Sequence, residues 1–107
     1  ENVNKTEGEL KQARLTLIGT AGRAYDTALG ALGEVNTLRG TVIPSARAAL
    51  ATIEESYNLG RLTLLDLLEI QRSIAEAELR EVEALVSFHT AIATIEGLTG
   101  AALGRTQ

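Results

Sequence analysis

Cysteine, methionine and tryptophan are missing from this sequence, and proline occurs once, at Pro44. Without cysteine there can be no disulfide, no thiolate metal ligand and no cysteine nucleophile. Aromatic residues make up only 3% of the chain, which counts against a sheet, because strands favour β-branched and aromatic side chains. Lysine is confined to Lys5 and Lys11, and the net charge is −4. Nucleic acid demands clustered cations, so no nucleic-acid partner is expected. The longest uncharged run, Ala84 to Ile95, has 12 residues, too few to cross a bilayer. His89 is the sole histidine, whereas zinc and iron sites need three or four converging ligands. No catalytic set, metal site or cofactor is expected.

What remains is helical in character. Alanine and leucine, both strong helix formers, supply 33 of the 107 residues. Apolar positions recur at helical spacing through Leu10, Ala13, Leu17, Ala21, Ala24, Ala28, Leu32, Val35 and Leu38. The pattern weakens at Gly40-Thr-Val-Ile-Pro44 and resumes at Ala46, Ala49, Leu50, Ile53 and Tyr57. Pro44 has no N–H to donate, which predicts a kink near 40–44 in a helix over about 6–57. A second helix is predicted over about 63–98, leaving a flexible tail at 99–107.

Between the helices every local signal predicts a tight turn at 58–62. Gly60 suits the left-handed conformation that closes a helix. Thr63-Leu-Leu-Asp66 forms a capping box, with Thr63 as N-cap and Asp66 at N3, its charge facing the positive end of the helix dipole. Leu62 and Leu67 occupy the positions of a hydrophobic staple. A short turn makes the helices antiparallel neighbours, so the predicted fold is all-α, a long coiled-coil-like hairpin. So thin a structure buries little surface and needs further helices around it.

The second helix carries that demand in its pattern. Leu64, Leu68, Ala75, Leu79, Val82 and Val86 make one apolar line, and Leu67, Ile74, Leu85, Phe88, Ile92 and Ile95 make another. Two lines imply contacts on two sides. Glu69, Arg72, Glu76, Arg80 and Glu83 fall on the face that is left, as a solvated surface would. In the first helix, Gly19/Gly22 and Gly30/Gly33 repeat at an interval of 11, lining a face that a partner helix could approach closely. Leu64 to Arg72 bears a weak similarity to the all-helical chorismate mutases. Their pocket clamps a dicarboxylate with several cations, for which only Arg61, Arg72 and Arg80 could serve here. No enzyme is expected.

A more specific resemblance begins at the turn. Tyr57-Asn-Leu-Gly-Arg-Leu-Thr-Leu-Leu-Asp-Leu-Leu-Glu-Ile-Gln-Arg72 is followed by Ala75-Glu-Ala-Glu-Leu79 and then by Phe88-His-Thr-Ala through Leu98-Thr-Gly100. With Arg23-Ala-Tyr25 and Val42-Ile-Pro44 upstream, this ordered set resembles the C-terminal repeat of the TolC-like outer-membrane efflux factors, over about residues 8 to 100. It is most similar to the branch that serves heavy-metal pumps of the RND type. Each piece is weak alone; their order and spacing carry the likeness.

The resemblance implies a homotrimeric duct, with a β-barrel in the outer membrane continued by an α-helical barrel through the periplasm. The barrel's tip would meet a periplasmic adaptor and an inner-membrane RND pump, exporting metal ions or small toxic compounds. On this reading Tyr57, Asn58, Leu59, Gly60, Arg61 and Leu62 form the docking tip, and Asp66 and Glu69 match acidic positions at the pore constriction. The family's best-known member places its arginine one residue later, where this chain has Leu62. Strand segments, a first repeat and an export signal are not seen, so the expectation is one hairpin of a longer protein, touching membrane only through other parts. The alternative is a stand-alone helical oligomerisation or adaptor module.

Overall fold

The computed structural model describes the backbone of residues 2–104 and the side chains of residues 3–100. Helix α1 spans Asn2–Thr37, a π-helical turn spans Leu38–Val42, α2 spans Ile43–Asn58 and α3 spans Leu64–Gly104. No strand occurs among the described residues. The chain is an all-α helical hairpin, as its composition predicts. The end of α3 is longer than its pattern implies: helix continues through Gly104, into the predicted tail, and residues 105–107 lie outside the described residues.

The hairpin divides into two units, Ala31–Val86 and Glu1–Gly30 with Ser87–Gln107. In the unit that holds the turn, Ala31, Val35 and Leu38 are buried on one arm, with Ile74, Ala77 and Ala84 on the other. Their spacing is the alternating three and four of a coiled-coil seam. Burying a valine, leucine or isoleucine contributes roughly 1.5–3 kcal/mol each, so Val35, Leu38 and Ile74 dominate this small core. Ion pairs cross the seam's edge from Arg39 to Glu81 and from Arg47 to Glu78. In the other unit Ala24, Ala28 and Ala91 are buried, flanked by half-buried Leu17, Phe88, Ile95 and Leu98.

Alanine dominates the seam for a geometric reason, since small side chains let two helices approach closely. That choice overturns one expectation from the pattern. Leu32 was the larger apolar candidate, yet Ala31 is buried and Leu32 is 42% exposed. The glycines stand apart from this seam. A Cβ added at Gly22, Gly30, Gly33 or Gly40 would meet nothing within 4 Å, so these residues do not serve the contact between the two arms.

The break at Pro44 takes an unexpected form. The arm neither stops nor leaves the helical region; instead the Ile43 N–H bonds the Leu38 carbonyl, one residue beyond the α pattern. Pro44 then falls at the start of α2. A wider π turn moves the preceding carbonyls away from the proline ring, which in a regular α-helix would strike the carbonyl four residues back. The turn also absorbs one extra residue. Seam positions run Ala31, Val35, Leu38 and then Ile43, Ala46, Leu50, Ile53: a single step of five interrupts the alternation of three and four. With the residue absorbed, half-buried Ile43, Ala46, Leu50 and Ile53 stay on the seam face.

Candidate functional site

The turn that reverses the chain gathers the residues the sequence singles out. At the end of α2 the Gly60 N–H bonds the Tyr57 carbonyl at 2.9 Å and the Arg61 N–H bonds the Ser56 carbonyl at 2.9 Å. These are the two nested bonds of a Schellman motif, which satisfy carbonyls that a helix end leaves unpaired. Gly60 carries φ of 76°, which lets the motif form without a side-chain clash. Three residues after Gly60, Thr63 caps the start of α3. Asp66 Oδ2 accepts from the Thr63 N–H at 3.0 Å and from the Thr63 hydroxyl at 2.9 Å, while the Asp66 N–H donates to Thr63 Oγ1 at 3.3 Å. The capping box is closed in both directions.

Electrostatics follow from this geometry. The two bonds from Thr63, backbone first and hydroxyl second, hold the Asp66 carboxyl below the usual carboxylate range. Asp66 is thus a bound, ionised residue one turn into α3. Glu69 lies farther along, exposed to solvent. Leu62 and Leu67, the expected staple pair, are both half-buried.

The tip itself is open. Leu59 is 61% exposed, and Asn58, Gly60 and Arg61 are also exposed. Tyr57 sits at the edge of exposure. Leu64 and Leu65 extend this apolar surface onto α3. Farther along α3, Leu68, Leu79, Val82 and Val86 are each about half exposed or more. Of the two apolar lines on α3, therefore, the one through Ile74 makes the hairpin and the one through Leu64 and Val86 has no partner within it.

Two charged contacts escape a reading of sequence alone. Arg39–Glu81 and Arg47–Glu78 join residues far apart in the chain. Glu81 gives one clue, because it occupies a seam position between Ala77 and Ala84 on α3. Along the outer face, Arg72 pairs forward with Glu76 at 3.1 Å. Among the described residues no three histidine, aspartate or glutamate side chains converge as a metal site. Nor is any described helix long and apolar enough to cross a membrane.

The coiled-coil hairpin thus leaves the second apolar line of α3 uncovered. Residues 1–101 match the outer membrane efflux protein family, and the chain belongs to that family. Members of that family are outer membrane efflux proteins. No curated protein and no solved structure matches the chain.

Proposed function

We propose that this hairpin is one stave of the periplasmic helical wall of an efflux duct, built from a homotrimer of the intact protein. The observation that carries the reading is the second apolar line of α3, whose Leu64, Leu68, Leu79, Val82 and Val86 stay exposed beside the hairpin's own seam. At 100° per residue its mean direction lies roughly 115° around the helix from that of the line through Ile74. A helix with apolar lines on two sides calls for a neighbour beyond its own hairpin. An α3 with Ile74 facing its own hairpin and the line from Leu64 to Val86 facing the next stave fits a wall.

The turn is the docking tip for a periplasmic adaptor, which joins the duct to an inner-membrane pump of the RND type. Exposed Leu59 supplies an apolar contact and Arg61 a guanidinium fork for carbonyls or acids on the adaptor. Half-buried Leu62 is the lesser contact of the two leucines. Asp66 and Glu69, repeated by three protomers, ring the entrance with carboxylates that favour cations. Because Asp66 also closes the capping box, Glu69 is the freer of the two to line the pore. The exported class is metal ions or small toxic compounds, in line with the resemblance to the heavy-metal branch.

The test is an efflux assay in a strain lacking its native duct, complemented with the full-length protein. Leu59→Asp should abolish resistance without lowering the amount of protein in the outer membrane. Resistance at the parental level would put the docking surface elsewhere.

A further inference from the structure

We propose that the π turn at Leu38–Val42 is a hinge, latched by the Arg39–Glu81 pair, on which the part of the arm leading to the tip can bend without losing the seam. Three observations within the Ala31–Val86 unit converge on it.

The first is a change of step in the hydrogen-bond ladder. The Ile43 N–H is taken by the Leu38 carbonyl, five residues back, and Pro44 has no N–H to offer. The regular ladder is interrupted at this level, and π turns and prolines are where helices bend. Elsewhere in an α-helix a bend of similar size must stretch the ladder.

Space is the second. Gly40 lies inside the π turn, it is exposed, and nothing stands within 4 Å of where its Cβ would be. A bend closing toward the Gly40 face therefore meets no side chain at that residue.

The third is the latch. Glu81 occupies a seam position on α3, where its neighbours three residues either way are buried Ala84 and half-buried Glu78. Its carboxylate meets Arg39, which belongs to the π turn itself. A charge at a seam position favours one alignment of the arms over its neighbours. Here that charge grips the turn at the level where the register changes by one residue. The pair holds the arms aligned, while the turn lets α2 tilt toward whatever the tip meets.

Amide hydrogen exchange on the full-length protein tests this directly. Amides from Gly40 to Ala46 should exchange about tenfold or more faster than those of Ala31–Asn36 and Ala48–Thr52. Glu81→Gln should widen that gap by releasing the latch. A variant lacking Gly40 and carrying Pro44→Ala restores the alternation of three and four, and protection along its arm should become even. Slow, uniform exchange across 31–52 in the parent protein would overturn the hinge, as would a gap that persists in the straightened variant. The readout needs neither adaptor nor pump, so its failure would leave the docking reading standing, and the converse holds too.

Discussion

Twice in this chain a glycine is followed within four residues by a residue that should start a new helix, and the outcomes are opposite. At Gly60 the chain reverses; at Gly40 it runs on. Gly60 takes φ of 76° and is held there by the nested bonds to Tyr57 and Ser56, with Thr63 and Asp66 opening the next helix. Gly40 keeps a negative φ, and Pro44 finds its place at the beginning of α2 through one wide turn. A helix breaker alone does not end a helix. Termination needs partners for the carbonyls it strands and a cap for the N–H groups that follow.

Substitutions at the two sites should separate them sharply. Gly60→Val forces a β-branched residue into the left-handed region, and the 107-residue chain should lose about 2 kcal/mol or more in a urea melt. An unchanged midpoint would mean the reversal does not depend on that conformation. Thr63→Ala removes the cap on the far side of the turn and should cost about 0.5–2 kcal/mol by the same measurement. Gly40→Ala should move the other way, since its Cβ enters open space in a helical backbone, with a gain of about 0.5–1 kcal/mol. A loss there would show that the π turn needs glycine as strictly as the reversal does.

The smallest effect concerns acid. Bonds from Thr63 depress the Asp66 pKa, so Asp66 adds stability that is fully present above its unfolded value of about 4. That contribution fades as the pH falls through the lower, folded value. The melting temperatures of the parent and Asp66→Asn should therefore differ most near neutrality and converge under acid. A constant gap down the scale would assign the difference to packing rather than charge.

Much of this was open to inspection in the sequence because its determinants are local. Gly60, Thr63 and Asp66 lie within seven residues, and each local preference supports the others. The two apolar lines on α3 were equally plain. What the pattern could not decide was which line faced the other arm, because both are aliphatic and of similar length. The structure chose the line through Ile74, and buried alanine beside it. Size misled at Leu32 for the same reason: close approach of two helices rewards the small residue over the large one. At Pro44 the signal was present but indirect, as the step of five between Leu38 and Ile43. The Arg39–Glu81 pair depends on how the arms align, which no local rule supplies.

The alanine seam has a consequence for how the protein is made. Among the described residues six of the nine buried apolar ones are alanine, and no side chain reaches the deepest level of burial. Alanine loses no rotamer freedom on folding, but it also removes little apolar surface from water. With so shallow an interior, the hairpin would be stabilised by anything that binds its folded form, because association draws that form out of equilibrium. If the proposed trimer is its setting, a copy without neighbours would open readily and be exposed to proteases. The weakness of the lone hairpin would then act as an inspection step, favouring chains that have joined a complete assembly.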